Sequence, residues 1–350
     1  MNSRLGQFAL PATLCAALLS WTLFSGGFGC SSTPPTPGCL GYSSQVVGSA
    51  AERLYDYAVP NHTVDARGVS WVGQVLDAVR VDGVGSGCFV GGRIEGTWNP
   101  ADSWELYHDR FGLPIDVEQS PFIVEQLHVL NTGDAVSLKP TVPCPNGSAV
   151  WLTVRKSLFE EIHDDAIESD RLCSARVEDN LIDRAYVALA FRNRSSDPLR
   201  SGSGSTVHVR NNLIRAHAFA KNYQGQSSHN GFWKWAHGGR GPKIVVRNNR
   251  FLAFDAPPNA TLFPYLNRII SCEDNVLLFA GSEAEWQQAL LGGCDHDGDD
   301  GLCDGERLLA LASCYTVITK LDTQSEVDFL ATYWDPYVAA WKDTHSADDE

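Results

Sequence analysis

One short phrase recurs five times between residues 150 and 280, and it limits what this chain can fold into more than any other feature. It reads Val154-Arg-Lys-Ser157-Leu-Phe159, Val177-Glu-Asp-Asn180-Leu-Ile182, Val209-Arg-Asn-Asn212-Leu-Ile214, Val246-Arg-Asn-Asn249-Arg-Phe251 and Cys272-Glu-Asp-Asn275-Val-Leu277. Each copy sets an apolar residue three positions before a small polar residue and another two positions after it. The polar anchors stand 23, 32, 37 and 26 residues apart. Self-similarity on that scale signals a solenoid, a propeller or an array, here with insertions of unequal length.

The runs beside the anchors are β-branched with a period near two, as in Thr206-Val-His-Val209 and Lys243-Ile-Val-Val246. A helical repeat would instead space apolar residues at three and four. Stacked strands would put Asn180, Asn212, Asn249 and Asn275 in one row, with Ser157 in the same row of the first copy. Each amide can then bond to the next, and such ladders add to those of the backbone. The pattern resembles the right-handed parallel β-helix of the pectate-lyase-like superfamily over residues 60–280. The fold expected is therefore an all-β solenoid with a small helical C-terminal cap. The segments 88–97 and 122–130 read as earlier coils. Trp71–Arg80 fits a strand or one face of a helix, and strand is preferred. A β-sandwich or propeller is the competing reading, but its more uniform units suit the uneven insertions less well.

The expected organisation is a leader over 1–29, a tether over 30–40, the β-helix over 41–281 and the helical cap over 282–350. Arg4, the apolar stretch 8–24 and the small residues 26–29 resemble an export signal. Cys30, followed by Ser-Ser-Thr-Pro-Pro-Thr-Pro-Gly, resembles the acylated cysteine of a bacterial lipoprotein. That resemblance implies an outer-membrane or cell-surface location with a lipid anchor on Cys30. Periplasmic or fully secreted protein is the alternative. Of ten cysteines, eight remain once Cys15 and Cys30 are set aside, and an even set in an exported chain argues for disulfides. Cys144–Cys173 and Cys294–Cys303 are the expected pairs, and Cys272 reads equally as a buried small hydrophobe. A formal charge of −15 excludes nucleic acid as a natural partner, because phosphate contact needs a concentrated basic surface. A monomer is expected.

Three stretches interrupt the coils. Residues 193–205 are polar and rich in Ser and Gly; residues 221–242 crowd Phe232, Trp233, Lys234, Trp235 and His237 into a Gly-rich loop; and Trp98–Trp104 forms a third, aromatic stretch. Trp98, Trp104, Trp233, Trp235 and His237, with Arg192, are candidate polysaccharide contacts, since indole faces stack on sugar rings. Packing of the loop onto the solenoid explains the tryptophans equally well. In the tail, 282–291, 306–313 and 324–345 read as helices. Val327, Leu330, Ala331, Trp334, Val338 and Trp341 can share a face, and Pro336 breaks or kinks the last segment. Between them, Asp295, Asp297, Asp299, Asp304 and Glu306 resemble a Ca²⁺ loop of the EF-hand or thrombospondin-repeat kind. Asp300 stands where that pattern wants glycine.

The densest chemical signal is Phe159-Glu-Glu-Ile-His163-Asp164-Asp165-Ala-Ile-Glu168. Asp134-Ala-Val repeats the Asp165-Ala-Ile step one coil earlier, so Asp134 and Asp165 should lie side by side with Asp164 adjoining. Crowded carboxylates cannot all ionise cheaply, and one can then serve as a general acid. The layout is similar to polygalacturonase-type hydrolases, which implies acid and base roles for Asp134, Asp164 and Asp165. That family's Gly-His-Gly and Arg-Ile-Lys motifs are absent. A polysaccharide lyase is the neighbouring reading, with Lys234, Arg192 or Arg215 as base or clamp. Aspartates at coil corners that merely accept backbone hydrogen bonds are the non-catalytic alternative.

Overall fold

The computed structural model describes residues 39, 44–47, 62–73, 79–81, 86–97, 99, 102–110, 114–118, 121–140, 144, 149–193, 201–219, 231–236, 239–255, 261–291, 302–320 and 322–345. Cys30, Trp98, His237, Asp295, Asp297 and Asp299 lie outside them.

The described residues build two large, all-parallel sheets of 9 and 13 strands. The nine-stranded sheet takes, in order, Ser44–Val47, His62–Asp65, Gly87–Val90, Phe122–Glu125, Leu152–Arg155, Ala175–Glu178, Thr206–Arg210, Lys243–Arg247 and Ile269–Glu273. After most of these the chain turns once and enters the other sheet, then returns to lie beside its own previous strand. Val124, Val154, Val177, Val209, Val246 and Cys272 fall in one register and point inward. Across the turn, Val129, Phe159, Ile182, Ile214, Phe251, Leu277 and Val317 form the facing stack. This arrangement is compatible with the expected β-helix.

The turn explains the recurring phrase. Its third residue takes a left-handed backbone: Lys156, Asp179, Asn211, Asn248 and Asp274 have φ between 51° and 59°. Asn and Asp tolerate that region best among residues with a side chain. The next residue turns its amide inward. Asn180, Asn212 and Asn249 each donate from Nδ2 to the Oδ1 of the asparagine in the following repeat, at 2.9, 2.9 and 3.0 Å. The same Oδ1 atoms accept the backbone N–H of the preceding row member, beginning with Ser157 N to Asn180 Oδ1 at 3.0 Å. The whole row is buried.

The larger sheet has two limbs, because Leu158–Glu168 and Leu181–Phe191 are 11 residues each and serve both. Their first halves pair with His128–Thr132 and Leu213–Ala216. Their second halves pair with Val136–Leu138 and Gly231–Trp235. A register shift between Ile162 and Asp165 separates the halves, with Glu161 and Arg184 left-handed at φ 55° and 70°.

Several expectations are corrected. The sheet does not stop at 281: Tyr315–Thr319 pairs in full register with Asn275–Phe279. The preferred strand reading of Trp71–Arg80 holds at both of its described ends, in Ser70–Val72 and Val79–Val81. Cys272 is no isolated hydrophobe, since it is disulfide-bonded to Cys314. Cys39–Cys88 is a second bridge, and Cys144–Cys173 forms as expected. Cys303 is also disulfide-bonded. Among the described residues, the helices Glu283–Leu291 and Asp304–Leu311 join the main core, through Trp286, Ala289 and Leu311. The helices Glu326–Tyr333 and Asp335–His345 instead cover an outward apolar stripe of the larger sheet, Leu181, Leu213, Leu252 and Leu278. Phe329 and Trp334 fill that contact, whereas Val327 is 74% exposed. Pro336 sits in the first turn of the last helix, where its missing N–H costs nothing, so the break falls at Trp334.

Replacing Asn212 by alanine strips an acceptor from Asn180 and a donor from the Val177 carbonyl. Urea denaturation of Asn212→Ala should show a loss of about 2–4 kcal/mol, because each buried group left unpaired costs about 1–3 kcal/mol. Asn211→Gly, at the left-handed corner, should change stability by less than about 1 kcal/mol.

Candidate carboxylate site

The second limb of the larger sheet brings the acidic residues together. Val136 pairs with Ile167 and Ser137 with Glu168, which places Asp134 in register with Asp165 as the shared step predicts. Asp134 Oδ1 accepts the Asp165 backbone N–H at 3.0 Å. Asp164 N bonds to the Gly133 carbonyl at 3.0 Å, so Gly133 is part of the corner rather than an idle insertion. One carboxylate oxygen from each of Asp134, Asp164 and Asp165 lies within 4.8 Å of the others.

Lys234 arrives from Gly231–Trp235. It pairs with Ala190, and Ala190 with Glu168, so only a methyl group stands between Lys234 and the acidic strand. Its ammonium reaches Asp165 Oδ2 at 2.7 Å. Asp165 Oδ1 is buried and has no hydrogen-bond partner. Below this pair, Glu168 is held by Ser137 Oγ at 2.9 Å and Lys139 Nζ at 3.2 Å.

Burial sets the protonation states. It pushes Asp164 up to about 8, with the Asp165 charge adding to the effect. Burial, then Asp164 and Glu168, holds Asp134 well above the ordinary carboxylate range. Asp165 is raised by burial too, although Lys234 opposes the shift. Burial works against the charge on Lys234, but Asp165 and Asp164 outweigh it and keep its pKa above the usual lysine value. Burial also opposes ionisation of Glu168, yet Lys139 and Lys234 prevail and hold its pKa low. Burial and mutual repulsion thus favour retained protons on Asp164 and Asp134, while the Lys234 ammonium favours the charged form of Asp165.

The wall of the site comes from the helix Trp104–Arg110. Trp104 lies beside Asp164 and weakly opposes the rise of its pKa. Tyr107 donates to Asn131 Oδ1 at 3.0 Å and stacks on His163 with ring centroids 3.7 Å apart. Phe219 covers the other side of His163 at 4.1 Å. Burial, then His217, pushes His163 down to about 3, so this imidazole stays neutral. Sequence reasoning passed over Tyr107, Lys139 and Phe219. Lys139 was open to discovery by extending the Asp134/Asp165 alignment three residues, whereas nothing local marks Tyr107 or Phe219.

Trp233 and Trp235 do not face a ligand. Each is 1% exposed, in register with Leu189 and Phe191 on the core side. Their alternation around Lys234 is a strand signal that buries the rings and turns the lysine outward. Arg192 is exposed just beyond Phe191, while Arg215 is bound to Asp183 at 3.0 Å on the first limb. Of the acidic loop, Asp304 is 1% exposed and accepts the N–H groups of Leu262 and Phe263 together with Arg307, which withdraws it from any ligand set. Glu306 accepts the Cys303 N–H at the start of the same helix.

No protein-family model matches this chain, and no curated protein or solved structure matches it either.

The raised carboxyl groups predict how stability depends on pH. In the unfolded chain Asp164 ionises near 3.8, while in the folded chain it holds its proton to about 8. The folded state therefore binds more protons across that window, and its stability falls as pH rises from about 4 to about 8. Thermal denaturation in a pH series should show this decline, with a shallower slope and a higher Tm at pH 8 for Asp164→Asn.

Proposed function

We propose that this chain is an exported right-handed parallel β-helix protein of the pectate-lyase-like kind, lipid-anchored at Cys30. We further propose that it binds an acidic polysaccharide at Asp134, Asp164, Asp165 and Lys234 and cleaves it by β-elimination. The disulfides support an oxidising, extracytoplasmic location. Among the described residues no helix is long and apolar enough to cross a membrane.

The observation that carries the reaction is the crowding of three carboxylates within 4.8 Å beside an ammonium. A glycoside hydrolase sets its two carboxyl groups on opposite sides of the scissile bond, about 5–9.5 Å apart. Acid and base packed together on one face instead suit removal of a proton and protonation of the leaving group from the same side. Lys234 clamps the uronate carboxylate and stabilises the charge that develops there. Asp165 Oδ1 takes the proton α to that carboxylate. The freed electron pair forms a carbon–carbon double bond as the bond to the glycosidic oxygen breaks, and Asp164 gives its proton to that oxygen. The two aspartates then exchange protons through solvent.

As an alternative to proton transfer by Asp164 and Asp165, the same three carboxylates, once deprotonated, offer oxygen donors to a hard cation such as Ca²⁺, the Asp165 Oδ1 atom being unpartnered. A bound cation would neutralise the uronate alongside Lys234. A structural Ca²⁺ at Asp295, Asp297, Asp299 and Glu306 is a separate proposal, now without Asp304. A second reading, a non-catalytic glycan-binding or structural solenoid, is favoured by the burial of Asp164 and Asp165 at 7% and 2% exposure.

Incubation with uronate-rich and neutral polysaccharides separates these outcomes. The expected result is ultraviolet absorbance from unsaturated ends with the uronate polymers alone. Asp164→Asn should lower the rate by about 100-fold or more while the protein stays folded. New reducing ends without unsaturation would mean hydrolysis, and binding without either product would establish the non-catalytic role. Chelation should lower the rate only if a cation serves the cluster.

A further inference from the structure

The outer face of the nine-stranded sheet carries a column of charges that does not close on itself. Glu125, Arg155, Glu178, Arg210, Arg247 and Glu273 occupy one register position on six successive strands. Arg155 pairs with Glu125 at 3.1 Å and Arg247 with Glu273 at 3.2 Å. Arg210 breaks the alternation, for its neighbour is a second arginine. Among the described residues no ion pair joins Arg210 to a carboxylate. It bonds to His208 Nδ1 at 3.2 Å, and its Nε is buried without a partner.

His208 and Arg176 stand opposite each other in the adjacent column, with Val245 and Ser271 beyond. Burial, then Arg210, Arg176 and Arg247, pushes the His208 imidazole down to about 4. Three guanidinium groups therefore act on one neutral ring. Because Nδ1 accepts from Arg210, the ring proton sits on Nε2 and is a further donor. Like charges on neighbouring strands destabilise a sheet. An anion between them would reverse the sign of that interaction, and a planar guanidinium fork is the side chain best suited to hold one.

We propose that Arg176, Arg210, Arg247 and His208 form an oxyanion-binding site for a carboxylate, sulfate or phosphate group. Glu178 and Glu273 bound it along the column and Lys243 lies at the end of its strand. The site stands on a different sheet from the carboxylate cluster and does not depend on the function assigned there.

The test follows the His208 ring by NMR through a pH titration of the full chain, in sodium sulfate and in sodium chloride of equal ionic strength. Sulfate should raise the His208 pKa by about one unit or more, since a bound anion favours the charged ring. It should also raise Tm relative to chloride, as any ligand of the folded state does. Arg210→Gln should abolish both responses, and Arg215→Gln on the other sheet should keep both. If Arg210→Gln fails to fold, Arg247→Gln serves in its place. Parallel titrations with phosphate and galacturonate rank the oxyanions. Equal His208 titration in sulfate and chloride, or a full response in Arg210→Gln, overturns the proposal.

Discussion

The buried row of amides from Ser157 to Asn275 is what the rest of this structure depends on. Parallel strands separated by loops of unequal length have no hairpin to set their register, and a slip of one residue would turn every side chain to the opposite face. Here the register is set at the corner. A left-handed residue turns the chain, and the next residue's amide accepts two N–H groups from the repeat before it. Moving one rung would leave several buried donors unpaired in a medium where that is costly. Insertions of any length can then be tolerated between corners, because they change nothing in the row itself.

That fixed register is also what assembles the acidic site. Asp134 and Asp165 are 31 residues apart in the chain and become neighbours because Val136 and Ile167 share a rung. Lys234, 69 residues beyond Asp165, joins them because Trp233 must pair inward with Leu189, which sends the intervening side chain out. The electrostatic stress of three crowded carboxyl groups is offset in part by that ammonium and in part by retained protons. Packing energy elsewhere in the sheets holds the group together.

The two outer surfaces show how one repeat serves different ends. On the larger sheet, the leucines among the positions flanking the inward stack form an apolar patch that two C-terminal helices cover. Trp341 Nε1 donates to the Asp179 carbonyl at 3.1 Å, and His345 meets the Asp179 carboxylate at 3.0 Å, so these helices dock onto the left-handed corner itself. On the nine-stranded sheet one outward column carries arginine and glutamate, half exposed from Arg155 to Arg247. Apolar positions recruited a covering layer; charged ones left a face for solvent.

Short-range pattern determined a good deal. The apolar-Asn-apolar phrase specified strand, corner and inward amide, because each depends on residues within six positions of one another, and its recurrence specified the stacking of repeats. Repetition of Asp-Ala-aliphatic specified the Asp134/Asp165 pairing, because like phrases take like places on neighbouring strands although 31 residues separate them. Tertiary structure alone decided the rest. Whether Trp233 and Trp235 face a sugar or the core depended on the strand beside them, and so did the reach of Lys234 across Ala190. Tyr107 and Phe219 closed on His163 from segments with no local mark of that role. Asp304 became a buried anchor because Leu262 and Phe263 happened to present their N–H groups to it. A side chain's partner is set by where the chain returns, and that return is a property of the packed whole, not of any window of sequence.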